Sequence, residues 1–158
     1  MMWNYINDKY ERSKKYVKSL IKWLTCSIII GVICGLIGTA FYQAVEKATK
    51  LQGRYPWLLF LLPVGGVVIV FLYHICGVKN AKGTNMIIES IRSSEKIPFI
   101  MAPLIFIGTV ITHLCGGSSG REGAALQIGG SIGAFLGRIM HLNEKDMHVI
   151  VMCGMSAG

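Results

Sequence analysis

Charge is what this sequence has least of. Only 15% of its 158 residues are charged while 53% are hydrophobic, and acidic side chains number 8 against 16 Lys and Arg. A soluble globular domain carries about 25% charged residues, so that class is excluded as the default and a membrane protein takes its place. Proline is scarce at 4 residues, whereas the 19 glycines exceed the usual share of about 7%. The five cysteines, Cys26, Cys34, Cys76, Cys115 and Cys153, form no CxxC pair. That argues against a zinc site or a disulfide framework, and free thiols packed among helices are expected instead. No nucleophile triad, phosphate loop or metal-ligating helix motif is present, so the chain is read as not an enzyme and as needing no cofactor.

The net charge of +8 is unevenly placed. Lys9, Arg12, Lys14, Lys15, Lys18 and Lys22 all precede the first apolar run, as at a cytoplasmic end held by the positive-inside bias. No basic patch belongs to a soluble domain, which sets nucleic acid aside as a partner and leaves membrane lipid. Residues 1–22 read as a basic amphipathic segment at the membrane surface, carrying Trp3, Tyr5, Ile6, Tyr10, Tyr16 and Val17. Residues 23–158 read as a transmembrane domain.

Within that domain, 24–44 is free of formal charge and about the 20 residues a span requires. The stretch 46–55 reads as a loop. A second charge-free run at 57–75 holds Pro63, Gly65 and Gly66, which predicts a kinked helix packed on both sides. Apolar runs follow at 98–114 and 123–137, each short for a span, and such short or glycine-interrupted segments suit a transporter built from broken helices. Asn143 precedes Glu144 and Asp146 and predicts a capped helix start. The helix after it has room for roughly 18 Å before Gly158, against a hydrocarbon core of about 30 Å. The expectation is therefore a chain truncated inside a membrane element.

The sharpest local feature is Gly116-Gly117-Ser118-Ser119-Gly120-Arg121-Glu122-Gly123. Glycines at a helix start leave backbone N–H groups open to a ligand, and the aligned peptide dipoles add about half a positive charge. This predicts an anion site, with Arg121 adding positive potential. Glu122 is the candidate gate, a carboxylate that fills the anion position and leaves it when protonated or displaced. The competing reading makes Arg121 and Glu122 an interfacial salt bridge at an ordinary helix end. His113 reads as a structural histidine bonded to a neighbouring helix, and Glu89 with Arg92 as a local i, i+3 ion pair.

Gly120-Arg121-Glu122-Gly123 resembles the G(K/R)EGP motif of the CLC family of chloride channels and anion/proton antiporters, with Ala124 in place of the proline. The flanks Ile111-Thr112-His113-Leu114, Gly116-Gly117-Ser118 and Gln127-Ile128-Gly129-Gly130 are similar to the family's, especially its bacterial fluoride-exporting branch. Gly154-Met155-Ser156-Ala157-Gly158 resembles the start of a further family helix. The family's GSGIP motif falls at Gly83-Thr84-Asn85-Met86-Ile87, where the first glycine alone is identical. There the resemblance implies a second anion-facing helix start at Gly83, with Thr84 offering its hydroxyl, and Asn85 leaning toward the fluoride branch.

The resemblance implies an all-α polytopic fold, the first part of a CLC-type inverted repeat, with Glu122 as gate and proton acceptor. Gly83, Thr84, Asn85, Gly120, Arg121 and Gly123 would be its anion-binding residues. It also implies a multi-pass protein of the cell membrane with a cytoplasmic N-terminus, a homodimer when complete, its C-terminal half missing here. The transported ion is chloride or a similar halide; a fluoride/proton antiporter and a non-transporting membrane assembly protein are the alternatives.

Overall fold

The computed structural model describes residues 2–78, 83, 85 and 97–158. Among these the chain is all helical and has no strand. Helix α1 runs Met2–Arg54, a 3-10 helix Pro56–Leu61 leads directly into α2 (Leu62–Ile75), and α3 (Met101–Leu114), α4 (Arg121–Ile139) and α5 (Glu144–Ala157) complete it. The Glu89 and Arg92 ion pair lies outside the described residues.

Two expectations about the first half need correction. The stretch 46–55 is helical up to Arg54, and the basic segment 1–22 is continuous with the first apolar run from Met2 onward. Nothing in 46–54 breaks a helix: Lys50 pairs with Glu46 one turn back at 2.7 Å, and the Thr49 hydroxyl donates to the Val45 carbonyl at 2.9 Å. The break comes one residue later, where Pro56 lacks an N–H and pushes Tyr55 out of the helical region, to φ −126° and ψ 75°. At about 1.5 Å per residue, α1 is roughly 80 Å long, far more than a bilayer core of about 30 Å.

The second correction concerns α2. Pro63 sits in its first turn, where a missing N–H costs nothing, so the irregularity is a change from 3-10 to α geometry at Leu62. The helix does not pack on both sides. Gly65 is its one buried residue, set against Cys115 and Ile111, while Val64, Val67, Val70 and Phe71 are exposed. Ser13–Arg54 and Pro56–Ile75 are long and apolar enough to cross a membrane, and Met101–Leu114 is a shorter apolar helix.

The core forms where four helices converge. From α1 comes one stripe at helical spacing, Cys26, Ile30, Cys34, Phe41, Val45 and Ala48, all buried. Ile30, Cys34, Phe41 and Val45 meet Met101, Ala102 and Ile105 of α3, Ala124, Ile128 and Ile132 of α4 and Ile150 of α5. Phe41 stacks edge-on against Phe106 at 5.4 Å. At the other end of α1, Lys22 pairs with Asp146 at 2.5 Å, both partly exposed, a bond worth about 0.2–1 kcal/mol.

Helices α4 and α5 form an antiparallel hairpin in direct backbone contact. A Cβ at Gly133 would stand 2.5 Å from the Ile150 carbonyl oxygen and one at Gly158 2.5 Å from that of Ala125, while Gly129 and Gly154 face each other's carbonyls still more closely. The turn closes with His141 at φ 50° and with Asn143 capping α5, its side chain accepting from the Asp146 N–H at 2.9 Å. That cap is the one the sequence predicts. Because rigid backbone leaves no room, Gly133→Ala should lower stability by about 1–3 kcal/mol. Gly31→Ala, where a Cβ meets nothing within 4 Å, should instead raise it by about 0.5–1 kcal/mol, alanine being the better helix former. Reversible SDS denaturation followed by circular dichroism measures both.

Candidate functional site

The site is built on the first turn of α4. Cys115 and Gly116 end α3: Gly116 takes φ +80°, and its neighbour Gly117 donates to the Thr112 carbonyl at 2.8 Å. Gly120 then caps α4 in an extended conformation, φ −64° and ψ 109°, with no side-chain cap. The first intrahelical bond of this turn runs from the Ala124 N–H to the Gly120 carbonyl at 3.2 Å. The N–H groups of Arg121, Glu122 and Gly123 therefore have no acceptor within the helix. With the dipole behind them they form a positive end open to an anion.

Helical phase divides this turn into two faces. Gly120, Gly123, Ala124 and Gln127, at i, i+3, i+4 and i+7, face a cavity of about 500 Å³ that Gly83, Tyr73, Thr109, Thr112 and Ser119 also line. Arg121, Glu122, Ala125 and Leu126 face a second cavity of about 400 Å³, closed on α1 by Gly38, Phe41, Tyr42 and Val45. Gly83 is thus brought to the glycine face of α4. It has φ +60°, a left-handed turn that favours glycine. Asn85 is helical and exposed, and Thr84 lies outside the described residues. Arg121 and Glu122 share the other cavity and not the one that Gly83 lines.

Polar groups on the glycine face differ in what they offer an anion. The Thr112 hydroxyl donates to the Gly108 carbonyl at 2.7 Å, so its hydrogen is committed inside α3. Gln127 Nε2 donates to the Gly123 carbonyl at 3.1 Å. The unbonded backbone N–H groups at the start of α4 and the hydroxyls of Tyr73 and Ser119 are the other donors beside this cavity.

Arg121 and Glu122 are not paired with each other. Arg121 Nε donates to His113 Nε2 at 3.4 Å and a terminal guanidinium nitrogen to Thr49 Oγ1 at 3.4 Å. Glu122 is exposed and has no ion pair among the described residues. It lies alongside Gly38 to Val45, the far end of the charge-free run of α1 and not its middle near Cys34. His113 is buried, with Nδ1 2.9 Å from the Thr109 carbonyl of its own helix and 3.4 Å from Ser119 Oγ. It thus bonds both within α3 and to α4. Sequence reasoning missed Tyr73, Thr109, Ser119 and Tyr42 as cavity residues. The i, i+3, i+4, i+7 phase from Gly120 was the signal available for the division into two faces; nothing local marks side chains contributed by α1 and α2.

A family model described as voltage gated chloride channel matches residues 65–158, which runs from within α2 through α5 and takes in both cavities' α4 residues. The chain belongs to the voltage-gated chloride channel family, the CLC family. A chloride/fluoride channel protein of Pseudomonas syringae pv. tomato is 38% identical over 140 residues, covering 88% of this chain and 31% of the relative. An H(+)/Cl(-) exchange transporter of Cronobacter sakazakii is 28% identical over 89% of this chain and 33% of its own length. Among solved structures, that of a CLC-type fluoride/proton antiporter superposes with a TM-score of 0.77 at 34% identity, over 84% of this chain and 34% of that one. The chain spans about a third of the length of these CLC relatives. Its helices form the first part of the CLC fold, and with its long apolar helices it is a membrane protein.

The glycine face makes a test of its own. At Gly120 a Cβ meets nothing within 4 Å and φ is negative, whereas Gly83 sits at φ +60°. Gly120→Ala should therefore cost only the roughly 0.5 kcal/mol by which an N-cap prefers glycine to alanine, while Gly83→Ala should lower stability by about 1–2 kcal/mol, both read by thermal unfolding in detergent.

Proposed function

We propose that this chain forms part of the halide pathway of a CLC-type transporter, moving chloride or a similar anion across the cell membrane with Glu122 as gate and proton acceptor. The supporting observation is the first turn of α4, whose glycines and bare N–H groups lie beside the cavity that Gly83 lines, while Glu122, with no ion pair among the described residues, faces the other. An anion on the first side is held by dipole and N–H donors. Glu122, one residue away around the same helix end, competes for the same positive potential, and protonation would remove that competition. The protein then acts as a multi-pass homodimer, without enzymatic activity and without a cofactor.

Fluoride is the second reading. Its support is that the 38% identical relative and the 34% identical structure both carry fluoride in their descriptions, above the 28% of the proton/chloride exchanger. In proteoliposomes bearing the whole protein, a fluoride electrode, a chloride electrode and a proton-sensitive dye separate the cases. Glu122→Gln should keep anion flux and abolish coupled proton movement. Wild-type proton movement per anion in that variant would return Glu122 to a structural role.

Orientation follows from charge. Six cations precede the first span and Lys79, Lys82, Arg92 and Lys96 follow the second, so both groups are cytoplasmic and Tyr55, exposed at the end of α1, is external. A cysteine placed by Tyr55→Cys in a cysteine-free background should react with an impermeant maleimide in intact cells. Reaction only after lysis would reverse the topology.

A further inference from the structure

Arg121 is the nearest cation in sequence to Glu122 and lines the same cavity, yet its guanidinium is bonded to His113 and Thr49. We infer that His113 is a positioning residue for Arg121: a fixed Nδ1–H imidazole whose bare Nε2, together with Thr49 Oγ1, binds the guanidinium between α1 and α3 and so keeps it off the Glu122 carboxylate. This rests on the reading of Glu122 as the gate and adds the device that keeps its neighbouring cation from locking it.

Each atom's role follows from what the others can do. A carbonyl oxygen is an acceptor only, so the 2.9 Å contact of His113 Nδ1 with the Thr109 carbonyl requires a proton on Nδ1. A guanidinium is a donor only, so Nε2, 3.4 Å from Arg121 Nε, must be the unprotonated nitrogen. The two contacts agree on one tautomer, and burial of the ring holds it in place. Thr49 is matched in the same way. Its hydroxyl hydrogen goes to the Val45 carbonyl at 2.9 Å, leaving the oxygen's lone pairs to accept from the guanidinium at 3.4 Å. The nearby carboxylate on α1, Glu46, lies within reach of the field of Arg121 but is bonded to Lys50 at 2.7 Å. Three helices thus meet on Arg121 through neutral acceptors.

Nitrogen-15 NMR of the chain in lipid nanodiscs, with histidine and arginine labelled, reads this arrangement without reference to transport, so its failure is distinct from a failure of the transport reading. His113 should show a protonated Nδ1 and a bare Nε2, and the Arg121 Nε–H should be resolved from the other arginines and slow to exchange. His113→Gln, which can place an amide oxygen near the position of Nε2, should keep that signal. His113→Leu should collapse it into the signals of solvated arginines. Thr49→Val, at an exposed position of α1, should leave the Nε–H in place and shift the terminal guanidinium nitrogens, giving a reading even if the buried Leu variant fails to fold. A proton on Nε2, or identical Arg121 spectra for the Leu and Gln variants, would overturn the proposal, as would terminal nitrogens indifferent to Thr49→Val.

Discussion

The contact on which the rest of this structure depends is the one between two backbones. Gly129 and Gly133 of α4 lie against Gly154 and Ile150 of α5 with no side chain between them, a closeness that small residues at helical spacing permit and that dispersion and lipid exclusion reward in a membrane. Once that distance is fixed, the rotation of α4 is fixed too. Its remaining faces are then assigned: Ile128 and Ile132 to the core shared with α1 and α3, and its first turn to the two cavities. A larger residue in that contact would move the anion-facing N–H groups as surely as a change beside them.

The first turn joins two chemistries that are usually apart. A helix start attracts any anion, whether free in solution or attached to the chain. Here the glycine face and the attached carboxylate lie on different sides of one axis, because Gly120 and Gly123 are three residues apart while Glu122 is rotated away from both. Under the proposed function an anion on the glycine face and the carboxylate would draw on the same partial charge. Occupancy of one side would then weaken the other without any movement of the helix.

Much of this was legible in the sequence. The charge deficit announced a membrane protein, the glycines before Arg121 announced an unguarded helix start, and Asn143 announced the cap of α5. What was not legible is instructive. Glu46 to Arg54 looked like a loop because it is polar, but polarity marks a solvated helix face as readily as a turn, and only Pro56 actually breaks the chain. Pro63 looked like a kink because its position relative to the 3-10 segment depends on where that segment ends, which no local pattern states. The separation of Arg121 from Glu122 was hidden for a different reason: the guanidinium is bonded to Thr49 and His113, 72 and 8 residues away from Arg121 in the chain.

That last point bears on how a charged doublet at a helix start can remain useful. Two unit charges 4 Å apart attract by about 4 kcal/mol at the effective dielectric of a protein near its surface, and a carboxylate in such a pair resists both protonation and displacement. An arginine beside a gate would then lock it. Yet the positive potential an arginine supplies is long-ranged and useful to an incoming anion, whereas the ion pair is short-ranged and depends on direct contact. Binding the guanidinium through an imidazole nitrogen and a hydroxyl, both uncharged, keeps the field and removes the contact. The position of Arg121 between α1 and α3 thus reconciles two demands that the doublet Arg121-Glu122, read as sequence alone, sets against each other.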